Sequence, residues 1–378
     1  MVVYLALIIW CVCTGYLSQH TKVHSRSAKK ILSMMPILAI FIISAIRYNV
    51  GTDYSGTYTM SYYKFVNGGT ATMTLLPTLI YKTIIRLGLD LQWFFAITSF
   101  LICYFTYKSI EDQSLSKTLS YYVFICGCCL FFGFNGIRQA IGMSMFYYSL
   151  RYLGVDSEKS SLEDEFKKPK RKKKNNWITK NINAVKYIII NLISTGFHIS
   201  GVVCVPLFFT LKKRTKLKTK IIIIVGCLLF SNLILPFIIR LINMTRYSYY
   251  ITNSSMFSQN SLNVSMYINI FLFICYEYYF YRNKQHAVTD RDIVYGNIHF
   301  YGLIVTMFVT SIPLAYRFFY TFRYIEFLSF PNLISHVEKK YRALAEIALV
   351  AILFAYFILM IGRNNSRDVL PYMTIFDK

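Results

Sequence analysis

Ala39-Ile40-Phe41-Ile42-Ile43-Ser44-Ala45-Ile46-Arg47-Tyr48-Asn49-Val50-Gly51-Thr52-Asp53 is the stretch that decides how this chain is read. An apolar run of the kind that crosses a bilayer stops, and an arginine, a small turn residue and an aspartate follow within seven positions. Three distant stretches set polar or cationic groups against apolar runs in the same way. They are Phe134-Asn135-Gly136-Ile137-Arg138-Gln139, Gly196-Phe197-His198-Ile199-Ser200 and Tyr316-Arg317-Phe318-Phe319-Tyr320. The organising question is whether these four places share one side of a membrane.

Hydrophobic residues make up 55% of the 378, and the mean hydropathy is +0.43. That is too apolar for a soluble globular domain, so the expected fold class is all-α, a single polytopic membrane domain over residues 1–378. Aromatic residues reach 17%, as suits a protein with much surface at lipid interfaces. The net charge of +24 comes from 41 basic against 17 acidic residues. The basic residues gather in short loops between apolar runs, which is the positive-inside pattern and argues against nucleic acid as a partner. No basic residue precedes the apolar run Met1 to Leu17, so a retained first helix is expected there in place of a signal peptide. The nine cysteines lie within apolar runs, where they read as small hydrophobes.

Spans of bilayer length are expected at about 2–17, 31–46, 91–107, 118–134, 137–153, 221–241, 263–281, 297–315, 318–334 and 343–361. Charge decides two ambiguous stretches. The loop 18–30 carries Lys22, Arg26, Lys29 and Lys30 with no acid, and the loop 154–186 contains Lys167-Lys168-Pro169-Lys170-Arg171-Lys172-Lys173-Lys174. Both should be cytoplasmic, so an even number of crossings separates them, and 73–87 cannot be one more. That segment holds Pro77, Lys82 and Arg86 and is expected as an interfacial helix on the outer face. The stretch 187–211 precedes six basic residues between Lys212 and Lys220. A single crossing would put them outside. A re-entrant hairpin of two short helices is therefore expected, with His198 near its tip and a cavity to receive it. The count gives ten full crossings and places both termini outside, with Arg47, Arg138 and Arg317 at the outer boundary. The loop 154–186 is expected to face anionic inner-leaflet lipid.

Cations that run against the positive-inside bias are costly and are functional candidates. Arginine suits a diphosphate, because its planar fork stays charged and grips oxygen pairs. Three such groups beside apolar helices suit a substrate with an anionic head and a lipid tail; singly, each would pass as a snorkelling charge. Asp53 could hold Arg47 in place or accept a proton from a sugar hydroxyl. His198 could act as a general base near neutral pH, or be a core histidine bonded to backbone. Asn135, Gln139 and Tyr320 supply supporting polar groups. Asp290-Arg291-Asp292 has acid-x-acid spacing, yet beside basic residues it reads as solvated. No metal or other cofactor is expected, and there is no P-loop, dinucleotide fingerprint or nucleophile elbow.

Arg47-Tyr48-Asn49-Val50-Gly51-Thr52-Asp53-Tyr54, Phe134-Asn135-Gly136-Ile137-Arg138-Gln139-Ala140, Phe197-His198-Ile199-Ser200, Arg317-Phe318-Phe319-Tyr320 and Val369-Leu370-Pro371-Tyr372 together resemble the EpsG family. These are bacterial polytopic proteins related in role to Wzy-type polysaccharide polymerases. The Lys-rich insertion at 154–186 and Gly136 depart from the family pattern. The resemblance implies a metal-independent glycosyltransferase-type polymerase on the outer face of the cytoplasmic membrane. Its substrates would be undecaprenyl-diphosphate-linked repeat units of an exopolysaccharide, capsule or O-antigen, and chain-length regulators and export proteins are implied partners. Arg47, Arg138 and Arg317 would bind the diphosphate, and Asp53 or His198 would take the acceptor proton. A flippase or exporter of the same lipid-linked glycan is the competing reading. An acyltransferase decorating the polymer is a third.

Overall fold

The computed structural model describes residues 1–20, 26–155, 177–244, 264–283, 288–309 and 315–377. The basic run 167–174 and residues 245–263 of the expected outer loop lie outside them. Two compact units are present, Met1–Pro206 with Glu326–Lys378, and Leu207–Ile325.

In the first unit, α1 (Val2–His20) packs on α2 (Arg26–Ile46), and α2 packs on α5 (Gln92–Gln113). Between them a π-helix (Tyr54–Thr59) runs into α3 (Met60–Val66), followed by α4 (Leu75–Arg86). Next come α6 (Lys117–Cys126), α7 (Cys129–Asn135) and α8 (Ile137–Ser149). The unit is completed by α9 (Trp177–Phe197), the start of α10 (Gly201–Leu207), and, after the second unit, α15 (Glu326–His336) and α16 (Lys339–Phe357). Hydrogen bonds fix which helix ends share a level. Tyr4 at the start of α1 donates to the Val369 carbonyl at 3.0 Å, and the Ile375 amide donates to Ile46 at the end of α2 at 2.9 Å. Both chain ends therefore meet the Arg47 stretch at one end of the unit. At the other end, Thr118 donates to Gln19 at 2.8 Å, and Arg151 pairs with Asp112 at 2.5 Å.

Among the described residues, five helices are long and apolar enough to cross a membrane: Val2–His20, Ser27–Ile46, Gln92–Gln113, Asp290–Val309 and Lys339–Arg363. Counting two bent pairs as single spans raises the number to seven. The protein is a multi-pass integral membrane protein. Ten crossings were expected; part of the difference lies in backbone breaks that hydropathy does not register, while Val264–Arg282 is one unbroken helix that falls short in hydropathy. The run 118–134 is bent by 50° between Cys126 and Cys129. There Cys128 adopts φ +65°, and a Cβ on Gly127 would come within 2.6 Å of the Val123 carbonyl as well as striking the Glu326 carboxylate. The expected span 318–334 is two short helices, Ala315–Arg323 and Glu326–His336. The α4 helix has 12 residues, about 18 Å long and too short for a bilayer core.

The stretch 187–211 does turn back at His198, because Tyr187 on the first arm donates to the Cys204 carbonyl on the second at 2.8 Å. The arms are unequal, however. The first is the 21-residue helix Trp177–Phe197, about 31 Å long, and not the short arm expected.

In the second unit, α11 (Leu217–Asn243), α12 (Val264–Arg282), α13 (Asp290–Val309) and α14 (Ala315–Arg323) pack together. Gly296 and Gly302 let α13 approach α12 closely: a Cβ at either would come within 2.9 Å of Phe280 or Asn269. Two charge readings change here. Lys220, expected in a solvated basic loop, is buried and paired with Glu277 at 2.5 Å, inside a ring formed by Phe273, Phe280 and Phe300. Arg291 and Asp292, expected to be solvated, are buried, and Asp292 accepts the Thr289 amide at 2.9 Å at the start of α13.

The arrangement of helix ends is testable by labelling. Thr52→Cys and Asn364→Cys should react with an impermeant maleimide from one side of the membrane, and Lys29→Cys from the other. Labelling of Thr52→Cys and Lys29→Cys from the same side would contradict the bundle described.

Candidate functional site

Arg47 follows the last turn of α2, where unpaired carbonyls carry partial negative charge that favours a cation. The Gln92 side chain donates to the Ala45 carbonyl and, at 3.2 Å, to that of Arg47. The C-terminal tail adds a short antiparallel bridge between Arg47 and Thr374, in which the Tyr48 amide donates to Met373 at 2.9 Å. The helix end is thus sealed by a side chain and a strap of backbone. Beneath the seal, the Arg47 guanidinium is 1% exposed and lies between two rings, 5.0 Å from the centroid of Phe95 and 4.5 Å from that of Phe134. Its Nε and Nη1 have no hydrogen-bond partner, and no carboxylate lies within 4 Å among the described residues. Cation–π contact offsets part of the desolvation cost, about 2 kcal/mol at best, where an unpaired buried charge costs several.

Asn135 ties the Arg47 stretch to the break between α7 and α8. Its Oδ1 accepts the Thr52 hydroxyl at 3.0 Å and the Asp53 amide at 3.4 Å, and its Nδ2 donates to the Arg367 carbonyl of the tail at 3.1 Å. Asn135 therefore acts here as a clamp on three backbone segments. Gly51 is required by the same contact: its φ is +106°, and a Cβ would stand 2.8 Å from Asn135 Oδ1. Gly136, read from the sequence as a departure, has a physical reason, since a Cβ there would meet the Phe132 ring at 2.8 Å.

Tyr58, which sequence reading did not single out, bridges that break. Its hydroxyl donates to the Asn135 carbonyl at 2.5 Å and accepts the Ile137 amide at 3.0 Å. The Tyr58 hydroxyl is also within electrostatic reach of Arg138, Asp53 and Arg47. Its ring joins an aromatic cluster in which Tyr54 stacks on Phe95 at 4.6 Å and Tyr81 on Phe94 at 4.2 Å. The signal was present in the sequence: Tyr54, Tyr58 and Tyr62 are spaced by four, as a buried helical stripe requires. The π-helical turn at 54–59 is a local irregularity of the kind often found at functional sites.

Arg138 stands half-buried in the first turn of α8, where the helix dipole opposes a cation and attracts an anion. Asp53 is half-buried and Gln139 is buried. His198 reaches the same end of the unit through Phe197, which belongs to the Tyr58 cluster and whose carbonyl accepts the Thr74 hydroxyl. His198 Nδ1 lies 2.8 Å from the Ser200 hydroxyl and 3.3 Å from the Ser200 amide, so Ser200 holds that side of the ring. Arg317 and Tyr320 belong to the second unit, where Arg317 is half-buried and Tyr320 stacks on Tyr324 at 5.2 Å. The site described here is built from the first unit alone.

The profile of the EpsG family matches residues 30–162 and 176–374. The chain belongs to the EpsG family. The unmatched residues 163–175 fall within the lysine-rich insertion. No curated protein and no solved structure matches the chain. Membership of the EpsG family points to a role in polysaccharide biosynthesis.

Two stability outcomes are expected of this EpsG-family protein. Gly51→Ala should destabilise it by at least ~1–2 kcal/mol, because an L-residue is strained at that backbone angle and its Cβ presses on Asn135. A lower melting temperature in detergent would register this. Arg47→Met should leave the melting temperature unchanged or raise it, since a buried charge without a partner is replaced by an apolar chain of similar length. A fall of many degrees would show that the guanidinium serves the fold.

Proposed function

We propose that this protein polymerises lipid-diphosphate-linked oligosaccharide repeats at the membrane face bearing Arg47 and Arg138, with undecaprenyl diphosphate as the leaving group. The observation that carries the reading is the buried Arg47 guanidinium, with no carboxylate partner among the described residues, in the same sealed corner as Asn135 and Tyr58. A fold gains nothing from such a charge. A reaction in which negative charge builds on a leaving diphosphate does.

The step is a substitution at an anomeric carbon. A hydroxyl oxygen of one lipid-linked repeat bonds to the anomeric carbon of the other, the bond from that carbon to the diphosphate oxygen breaks, and the diphosphate leaves with the bonding pair. The hydroxyl proton passes to a base. Arg138, half-buried at a helix N-terminus, is the group best presented to a diphosphate. Arg47 is enclosed, so it acts on the leaving group through its field or reaches it when the tail strap shifts. Asp53 is the better base. His198, with Nδ1 held by Ser200, is the alternative base.

Arg138→Lys should abolish polymer while single lipid-linked repeats still arrive at the outer face. Arg47→Met should do the same in a protein of undiminished stability, losing ~10²-fold or more in rate, as expected for removal of one preorganised donor. Repeats trapped on the inner face would refute polymerisation and identify the protein as the flippase.

A further inference from the structure

The opposite end of the first unit holds a second site of different chemistry. Where α1, α2, α5 and α6 end together, a cleft of about 340 Å³ opens, lined by Lys29, Lys30, Lys108 and Lys117, with Ser33 and Tyr107. Two carboxylates, Glu111 and Asp112, also line it, and both are engaged. Glu111 pairs with Lys117 at 2.6 Å and Asp112 with Arg151 at 2.5 Å. Lys29, Lys30 and Lys108 consequently face the cleft with no carboxylate within 4 Å among the described residues. The Ser33 and Tyr107 hydroxyls are joined at 3.1 Å and add hydrogen-bonding capacity to the wall.

We propose that this cleft binds a phosphorylated group, either the headgroup of an anionic phospholipid or a soluble phosphate ester. The volume is that of a small-ligand pocket. Three ammonium groups on flexible stems can converge on one phosphate as point charges, where neutral or cationic ligands would find no counterpart. The paired acids keep their charge neutralised, so the field in the cleft is that of the three free lysines. The position, at the level where apolar helices end, is where lipid phosphates lie. This site does not depend on the polymerase reading, because its lysines are separated from Arg47 and Arg138 by the length of the helices.

The test uses the full-length protein in nanodiscs, read by native mass spectrometry and thermal unfolding. Wild type should retain phosphatidylglycerol after delipidation, and Lys29→Ala/Lys30→Ala/Lys108→Ala should lose it by about 100-fold in affinity, since each lysine near an anionic surface contributes roughly fivefold. In purely zwitterionic discs, stabilisation of wild type but not the triple variant by millimolar glycerol phosphate would assign the site to a soluble ester. The triple arginine variant should restore binding, and Lys64→Ala, an exposed lysine at the other end, should change neither readout. Equal retention of phosphatidylglycerol by wild type and triple alanine variant, with no response to glycerol phosphate, would overturn the proposal.

Discussion

A guanidinium in a sealed aromatic corner loses its hydration and must recover what it can from its surroundings. Arg47 recovers part from the rings of Phe95 and Phe134 and part from the carbonyl end of α2. Neither replaces a carboxylate, so the corner holds only because the surrounding backbone is over-determined. Gln92 seals the helix end, the tail bridges at Thr374, and Asn135 binds loop and tail at once. Residues more than 200 positions apart converge there through backbone hydrogen bonds, and the glycines at 51 and 136 tolerate no side chain because Asn135 and the Phe132 ring stand against them.

The two ends of the first unit are electrostatically distinct. One presents arginines beside irregular backbone, a π-helical turn and a break between helices, all of it hydrogen-bonded within the protein. Non-helical backbone survives at membrane depth only under that condition. The other presents lysines at the tips of regular helices, with the nearby acids already paired. Planar, strongly charged forks near broken helices suit an anion handled during chemistry. Flexible ammonium groups at the boundary suit one that is held.

Much of this was legible in residues 1–155. The apolar runs ending at Ile46 and beginning near Gln92 are continuous helices, because long apolar stretches without glycine or charge have no alternative in a bilayer. The turn at His198 was legible too, from Ser194-Thr195-Gly196 and from the basic run behind it. The length of its first arm was not, because Lys180 and Lys186 mask the helix in a hydropathy reading. Nor was the partner of Lys220: Glu277 is 57 positions away, and only the packing of both α11 and α12 on α13 brings them together.

By itself, the sequence determined an all-helical membrane protein of the EpsG family and marked Arg47, Asp53, Asn135 and Arg138 as residues out of keeping with their surroundings. Composition and hydropathy suffice for the helical membrane class, since each is a sum over local residues; the family rests on the short motifs around Arg47 and Arg138. Only the tertiary structure decided that Arg47 is enclosed, that Asn135 clamps backbone, that Tyr58 spans the helix break, and that Lys29, Lys30 and Lys108 share a cleft. Those facts depend on which side chains meet across distant helices, and meeting is a property of packed volume that no local pattern encodes.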